Sequence, residues 1–308
     1  MTDTTLSPHS QSATRRATLI GAIAVLLWAT LALFTSSTGA VPPFQLMAMT
    51  FAIAFLFAFL KWLRDALTVG RGAFAFLKQA WPVWAIGIGG LFLYHFFYFV
   101  ALDHAPAVEA SLIAYLWPLL IVLFSALLPG ERLYWQHVAG AVIGMGGAVL
   151  LILARGPGGD ASQPAGDIVG YGAALACAFT WSTYSVLSRR FGSAPTDLVG
   201  AFCGVTALLG FISHFAVETT VWPADLWEWL AIVALGLGPV GAAFFVWDYG
   251  VKKGDIKALG AISYASPLIS TLLLIATGKA NATMAVLLGC LAIVGGAVLA
   301  ARDLYMKK

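Results

Sequence analysis

The stretch from Glu109 to Pro129, EASLIAYLWPLLIVLFSALLP, is an apolar run that is long enough to cross a membrane and is interrupted by a proline. Pro118 has no N–H to donate to the carbonyl of Ala114, and its ring crowds that carbonyl, so a helix here must bend or loosen. In hydrocarbon a released carbonyl finds no water, and such breaks are tolerated where they face other helices or a wet cavity. The stretch therefore predicts a broken helix that faces the interior of a membrane protein.

The same break recurs later in the chain. Tyr264-Ala-Ser-Pro267 repeats Tyr115-Leu-Trp-Pro118 at an offset of 149 residues. The same offset aligns the glycine-rich run 140–150 with 289–299. The chain therefore consists of two related halves.

Composition places this chain in the membrane class. Of its 308 residues 60% are hydrophobic and only 10% are charged, whereas about 25% of residues are charged in globular domains. The net charge of +3 comes from short loops and does not indicate a nucleic-acid partner. Three cysteines fall inside apolar runs, which indicates packing residues rather than a disulfide or metal set.

Ten apolar segments of spanning length follow one another along the chain. They cover residues 17–37, 43–63, 80–102, 107–128, 134–154, 168–188, 197–217, 227–250, 258–277 and 282–301. The sequence therefore predicts an all-α integral membrane protein with ten transmembrane helices.

Loop charges predict the orientation of these spans. If both termini are cytoplasmic, all but two of the 17 Lys and Arg residues lie on the inner side, the exceptions being Arg155 and Lys279. Residues 1–14 form a polar segment, predicted to be a disordered cytoplasmic tail, and residues 156–167 form a periplasmic linker rich in Gly and Pro. Five spans before this linker and five after it mean that the second half enters the membrane in the opposite orientation. Two such inverted five-helix repeats around a shared mid-membrane site are typical of transporters.

Aromatic and hydroxyl side chains are predicted to line the cavity between the two repeats. Ser111, Tyr115 and Pro118 share one helical face, which should look toward Tyr264 and Pro267. The candidate substrate-binding residues are Trp28, Tyr94, His95, Tyr98, Tyr115, Trp117, Trp181, Tyr184, Trp247 and Tyr264. The candidate hinge or gate residues are Pro118, Pro267 and Glu109. Trp and Tyr also form interfacial belts or ordinary packing. A proline can be a static kink, and an acid such as Glu109 is also favourable at a helix start, so these alternatives stay open.

The missing charges exclude several chemistries. No Lys or Arg falls mid-span, as a carrier of phosphate esters would need, and no carboxylate is central. Asp248 lies four and five positions before Lys252 and Lys253, which predicts an ion pair at the inner surface. His95 is the one ionisable side chain well inside a span, with either a packing role or a substrate or proton role. No cluster has metal-ligand spacing and no nucleophile motif is present, so neither a cofactor nor an enzyme is predicted.

Several blocks resemble the EamA branch of the drug/metabolite transporter superfamily. They are Arg16-Ala-Thr-Leu-Ile-Gly21, Leu27-Trp28-Ala-Thr30, Glu109 to Pro118 with its Tyr-Leu-Trp-Pro, Phe179-Thr-Trp181, and Trp247 followed by Ser263-Tyr264-Ala-Ser-Pro267. The resemblance covers nearly the whole chain. It implies EamA repeats at 15–155 and 168–308, cytoplasmic termini in a bacterial inner membrane, and export of aromatic amino acids, with methyl viologen as a drug-like substrate class.

These observations predict a monomeric exporter of aromatic and other neutral amino acids that works by alternating access and has the lipid bilayer and a small-molecule substrate as its partners. The substrate ring would stack among Trp28, Tyr98, Trp117 and Trp181, and its ammonium would meet the carbonyls of Ala114 and Ser263, while the hydroxyls of Tyr115 and Tyr264 orient its carboxylate. A proton-coupled exporter of cationic drugs or other small metabolites is the first alternative. A non-transporting membrane scaffold is the second, although a scaffold needs neither paired prolines nor an inverted repeat.

Overall fold

The computed structural model describes residues 8–154, 168–276, 283–300 and 302, and all regular structure within them is helical. The helices are α1 (Pro8–Ala29), α2 (Leu31–Thr35), α3 (Pro43–Val69), α4 (Trp81–His104), α5 (Ala107–Ala114), α6 (Trp117–Ser125), α7 (Trp135–Ala154), α8 (Ile168–Arg190), α9 (Leu198–Val217), α10 (Leu226–Leu237), α11 (Ala243–Lys253), α12 (Ile256–Ile262), α13 (Ala265–Ala276) and α14 (Met284–Ala300). A 3₁₀ turn (Arg71–Leu77) precedes α4, and a π-helical turn (Gly238–Ala242) joins α10 to α11. The predicted all-α fold is confirmed.

Length and apolarity make this a multi-span membrane protein. Six described segments are long and apolar enough to cross a membrane: Gln11–Thr35, Pro43–Thr68, Trp81–His104, Leu198–Val217, Leu226–Lys253 and Ile256–Leu273. The apolar segments Glu109–Ser125 and Met284–Ala300 are shorter. Helices α7 and α8, of 20 and 23 residues, occupy the two remaining predicted positions. The described helices therefore match the ten predicted spans.

The first helix begins earlier than the sequence predicts. Helix α1 starts at Pro8, so residues 8–14 of the predicted disordered tail are helical. A proline suits the first helical turn because its missing N–H has no partner there in any case. Residues 1–7, the linker 156–167, and the two outer charges Arg155 and Lys279 lie outside the described residues.

Both predicted helix breaks are confirmed. Helix α5 ends at Ala114 and α6 begins at Trp117, so the break falls at Tyr115 and Leu116. Its equivalent falls at Ser263 and Tyr264, between α12 and α13. Pro118 then lies in the first turn of α6, where a missing N–H costs little.

The helix packing reproduces the repeat. The most extensive contacts join α7 to α14, α4 to α8, α3 to α9, and α1 to α11. At the 149-residue offset the α4–α8 and α1–α11 pairs are equivalent to each other, and the other two pairs each map onto themselves. This is the contact pattern of two halves related by a pseudo-two-fold axis, as inverted repeats require.

Helices α3 and α9 are tied together at both ends. At one end the carboxylate of Glu218 accepts hydrogen bonds from the N–H groups of Phe44 (2.8 Å) and Gln45 (3.0 Å). At the other end Lys61 pairs with Asp197 at 2.9 Å. We call the end with Lys61, together with Arg189 and Lys257, the basic end, and the end with Glu218 the opposite end. Helices α3 and α9 are thus an antiparallel pair with polar contacts at both ends.

Candidate functional site

Four tryptophans from four helices meet inside the bundle. The ring of Trp28 lies 5.1 Å from Trp247, 5.5 Å from Trp181 and 6.1 Å from Trp117, measured between centroids. Trp181 and Trp247 lie 6.1 Å apart and nearly parallel, at 28°. The candidate residues chosen from the sequence are therefore distant along the chain and adjacent in space. Aromatic pairs at these separations attract one another by about 0.5–1.5 kcal/mol beyond burial.

A wall of polar aromatic side chains on α4 continues from this tryptophan cluster. Tyr94 lies 5.3 Å from Trp181 and stacks on Tyr98 at 6.3 Å, with an angle of 2° between the ring planes. The hydroxyl of Tyr98 lies 3.4 Å from that of Ser111, which links α4 to α5. Hydroxyl groups therefore lie beside aromatic faces, and this combination suits a ligand with both a flat ring and polar atoms.

The hydrogen bond of His95 fixes the tautomer of its ring. Its Nδ1 lies 2.7 Å from the carbonyl oxygen of Leu91, which can only accept, so Nδ1 carries the hydrogen. In the neutral ring Nε2 is then an acceptor. The ring packs edge-on against Phe51 (5.1 Å) and Phe244 (6.1 Å). His95 is therefore a hydrogen-bonded residue packed in the core, and its role toward a substrate or a proton stays a prediction.

The two broken helices face the interior, as the sequence predicts. Tyr264 is fully buried, and its hydroxyl accepts a hydrogen bond of 3.1 Å from the N–H of Leu119 in the first turn of α6. The carbonyl of Ser263 accepts the N–H of Ser266 at 3.1 Å. In this conformation the Tyr264 hydroxyl and the Ser263 carbonyl each accept a hydrogen bond from the protein backbone, and their contacts with a substrate stay predictions.

The two halves differ in exposure at equivalent positions. In the second half, Tyr264, Phe244, Trp247 and Cys177 are between 0% and 4% exposed. Their respective equivalents in the first half, Tyr115, His95, Tyr98 and Trp28, are half-buried. Packing follows the same asymmetry, because α12 packs extensively on α6 while α5 makes at most a marginal contact with α13. The interior is therefore closed toward the basic end and looser toward the opposite end.

Asp248 corrects one expectation. It was predicted to form an inner-surface ion pair, but it is only 1% exposed. Lys252 Nζ lies 2.8 Å from its carboxylate and also donates to the carbonyl of Ala194, while the Thr196 hydroxyl donates to the carboxylate at 2.7 Å. The loop between α8 and α9 covers the pair, and a local sequence pattern does not reveal that cover.

Glu109 lies at the start of α5, at the opposite end, and is exposed. Its carboxylate accepts a hydrogen bond from the hydroxyl of Tyr171 on α8. The position fits a helix-start acid, which is favourable to the helix dipole, and the gate role of Glu109 stays a prediction.

Two side chains of the site were missed from the sequence. Phe51 on α3 is fully buried, lies 5.7 Å from Phe244 and is nearly parallel to it. Ser185 accepts a hydrogen bond from the indole N–H of Trp247 at 3.1 Å. Ser185 follows Trp181 by one helical turn, so the stripe of α8 could have indicated it. Phe51 is one apolar residue among many in its span and gives no such signal.

A groove of about 310 Å³ lies beside the cluster, between α4 and α8. It is lined by Ala85, Ile86, Gly89, Gly90, Phe179, Thr180, Thr183 and Tyr184. Tyr184 is 2% exposed and lies 5.1 Å from Trp181. The groove reaches the predicted site residues only through Tyr184, so it is a separate feature of the surface.

Comparisons with known proteins place these features in context. The profile of the EamA-like transporter family matches residues 15–153 and 168–302. The chain is 56% identical over 285 residues to the aromatic amino acid exporter YddG of Ancylobacter novellus, covering 92% of this chain and 96% of that protein. It is 26% identical over 271 residues to the aromatic amino acid exporter YddG of Salmonella typhimurium, covering 84% and 87%.

A solved crystal structure is also similar. It superposes with a TM-score of 0.84 at 54% sequence identity, covering 94% of this chain and 98% of the other. The similarity extends over both halves.

Proposed function

The chain belongs to the EamA-like transporter family, and from this membership we propose that it exports aromatic and other neutral amino acids by alternating access. It is a multi-pass inner-membrane protein and, like its family, a transporter rather than an enzyme. The meeting of Trp28, Trp117, Trp181 and Trp247 at the junction of the two halves is the observation that carries the proposal.

An aromatic amino acid suits this site chemically. It is a zwitterion with a flat apolar side chain, and a neutral aromatic site avoids the cost of leaving a charged side chain unpaired. In the proposed pose the substrate ring lies among Trp28, Trp117, Trp181 and Tyr98. The ammonium is held over aromatic faces and by Nε2 of His95, and the hydroxyls of Tyr98 and Tyr115 orient the carboxylate.

Exchange between the two ends would use the broken helices. With α12 packed on α6, the site is reached from the opposite end, past α5. The symmetry-related arrangement, with α5 packed and α12 released, would open the site to the basic end. Positive residues concentrate in cytoplasmic loops, so we assign the basic end and both termini to the cytoplasm.

Uptake and release by purified protein in liposomes test the proposal. We expect tryptophan, phenylalanine and tyrosine to be transported, and Trp181→Ala to weaken tryptophan binding by about two- to a hundredfold, because one or two ring contacts of about 0.5–1.5 kcal/mol each are lost. Tyr115→Phe should weaken binding less, since only a hydroxyl is removed. Trp227→Ala is the matched control, because that indole is 76% exposed at a helix start.

Transport of methyl viologen without any transport of tryptophan would support the cationic-drug alternative instead. Failure to move any of these compounds would support the scaffold alternative. A proton gradient imposed on tryptophan-loaded liposomes separates two mechanisms, because coupled export accelerates and facilitated diffusion does not respond. The candidate substrate-binding residues include no carboxylate, which favours facilitated diffusion.

A further inference from the structure

Three charged side chains meet at the basic end. Glu131 lies between α6 and α7, Arg189 in the last turn of α8, and Lys257 in the first turn of α12. Glu131 Oε1 is 2.6 Å from Arg189 Nη2, and Glu131 Oε2 is 2.5 Å from Lys257 Nζ. One carboxylate thus bridges two cations from different helices. We call these three residues the gate cluster.

Arg189 extends the gate cluster to the end of α11. Its Nη1 donates to the carbonyl oxygens of Val251 (2.9 Å) and Gly254 (2.7 Å). These carbonyls belong to the last turn of α11 and to the connection that leads into α12. A guanidinium has five N–H donors in a rigid fork, so it can hold a carboxylate and two carbonyls at once, which an ammonium cannot match in geometry.

The helix that the gate cluster holds is the one that closes the basic end. Residues 256–261 of α12 are all buried. At Gly260 the backbones approach so closely that an added Cβ would lie 3.0 Å from the carbonyl oxygen of Pro118 on α6. Release of α12 from α6 is therefore the movement that would open this end.

The sequence positions equivalent to the gate cluster, which belong to the opposite end, are uncharged. At the 149-residue offset, Arg189 corresponds to Ala40, Lys257 to Val108 and Glu131 to Ala280, none of which is charged. At the opposite end α5 is joined to α8 by the hydrogen bond from Tyr171 to Glu109. The asymmetry in charge thus runs parallel to the asymmetry in packing.

We propose that Glu131, Arg189 and Lys257 are positioning residues for transport, which hold α12 against α6 and set the substrate-free protein in the state closed at the basic end. This inference rests on the proposed alternating-access function. Breaking the cluster should raise the population of the state that is open to the basic end, and an observed affinity rises in proportion to the fraction of protein that is competent to bind.

The charges around Lys257 predict which substitution in the gate cluster has the larger effect. Lys257 lies in the first turn of α12, where the helix dipole disfavours a cation, and Arg189 is close by. Loss of Glu131 leaves both cations uncompensated, whereas loss of Lys257 leaves Glu131 still paired with Arg189. Glu131→Gln should therefore release α12 more than Lys257→Gln does.

Thiol labelling of α12 tests this without substrate. Ser263 lies at the end of α12, is fully buried, and can be replaced by Cys in a chain in which Cys177, Cys203 and Cys290 are Ala. We expect its labelling by a maleimide in detergent to be slow, and to rise about tenfold or more with Glu131→Gln, the range expected when one partner of a charge pair is removed. Lys257→Gln should give a smaller rise, and Lys257→Arg should restore slow labelling.

Two controls separate release of α12 from general loosening. Lys61→Gln removes a more exposed ion pair at the same end and should leave labelling unchanged. Arg189→Lys keeps the charge but loses the fork, and should give an intermediate rate even if Glu131→Gln fails to fold. In inside-out vesicles the KM for tryptophan should fall in Glu131→Gln and not in Lys257→Arg.

Equal labelling of Glu131→Gln, Lys257→Gln and the parent, in proteins that melt cooperatively, would overturn the inference. This outcome is distinct from failure of the proposed function, because labelling requires no substrate. A chain that moves no amino acid could still show release of α12.

Discussion

At the scale of single residues, polar atoms are few in the aromatic site, and several of them have a defined hydrogen-bond partner. His95 gives its Nδ1 hydrogen to Leu91, and Tyr98 meets Ser111. The indole N–H of Trp28 donates to the carbonyl of Pro239 at 3.1 Å, in the π-helical turn that leads into α11. Such turns are frequent at functional sites. These hydrogen bonds hold the rings in place, and the residual polar atoms can then serve a ligand.

We predict that His95→Phe keeps the fold and loses affinity for the zwitterion. The equivalent residue of the second half is Phe244, so the same packing accepts a phenylalanine there. The variant should melt as wild type but bind tryptophan more weakly by about three- to tenfold, the worth of one hydrogen bond. Isothermal titration with tryptophan and with tryptamine, which lacks the carboxylate, measures the effect. Unchanged tryptophan affinity would remove His95 from the site.

The pKa of Glu131 leads to a second prediction at this scale. Burial by itself raises the pKa of this carboxyl, but the hydrogen bond from Lys257 and the charges of Lys257 and Arg189 outweigh it, so the pKa lies below its ordinary value of 4.5. A lowered pKa means that the stabilisation is present above the ordinary value and is lost as pH falls through the lowered pKa. The ratio of the transport rates of Glu131→Gln and wild type should therefore be constant from about pH 8 to about pH 6.

As pH falls below the ordinary value of 4.5 and through the lowered pKa, the two rates should converge, because protonated Glu131 resembles glutamine. Liposome flux over a pH series measures the ratio, and the ratio cancels other pH effects. A ratio that changes steeply near pH 7 would mean that another group controls closure of the basic end.

At the scale of helices, each repeat contains one helix in two pieces. In α5–α6 and α12–α13 the break falls two to four residues before the aligned prolines. The two pieces share most of their neighbours, because α5 and α6 both pack on α7 and α8, and α12 and α13 both pack on α1, α7 and α14. The break is where each of these helices can bend, whereas α3 and α9 are unbroken and are joined at both ends by Glu218 and by the Lys61–Asp197 pair.

We expect Pro118→Ala combined with Pro267→Ala to slow transport. Alanine restores an N–H at each position and removes the clash with the carbonyl four residues earlier, so each broken helix can become more continuous and stiffer. The maximum rate should fall while the tryptophan affinity changes little. Liposome flux and equilibrium binding, measured together, distinguish the two quantities. An unaltered rate in the double variant would make both prolines static kinks.

A further prediction concerns the contact between α7 and α14. A Cβ at Gly140 would lie 2.5 Å from the carbonyl oxygen of Gly296, so Gly140→Ala must push the helices apart and should cost about 1–3 kcal/mol. Gly146→Ala is the matched control on the same helix, because nothing lies within 4 Å of its added Cβ. Thermal denaturation in detergent should show a lower midpoint for Gly140→Ala only. Equal midpoints would mean that the helix pair adjusts without cost.

At the scale of the whole molecule, the two repeats are alike in helix contacts and unlike in closure. The α1–α11 and α4–α8 contacts are equivalent, yet α12 is packed on α6 and α5 is not packed on α13. Related sequences in inverted orientation can exchange these two arrangements, which is how one fold can open to either side.

Membrane orientation yields the last prediction. Ser36 and Thr68 are both exposed hydroxyl residues, at the opposite end and the basic end respectively. In the chain without native cysteines, an impermeant maleimide added to intact cells should label Ser36→Cys and leave Thr68→Cys unlabelled, because basic loops are retained in the cytoplasm. Permeabilised cells should label both. Labelling of Thr68→Cys alone in intact cells would mean that the orientation in the membrane is the reverse of the one assigned here.

The sequence alone determined the membrane class, the duplication, the two helix breaks and the tryptophans that meet. Each of these follows from local chemistry, such as apolar length, a proline without an N–H, or a pattern repeated at a fixed offset. The cover over Asp248 and the stacking of Phe51 on Phe244 could not be read in this way, because burial depends on which helices become neighbours.

Only the tertiary structure decided which end is closed. The repeated sequence pattern does not indicate which end is closed, since both halves carry the tyrosine and proline of the break. The difference lies in contacts between residues far apart in the chain: Glu131 with Arg189 and Lys257, and α12 with α6. If closure is an equilibrium between two packings, as the proposed function requires, long-range charge pairs of this kind shift it by stabilising one of them.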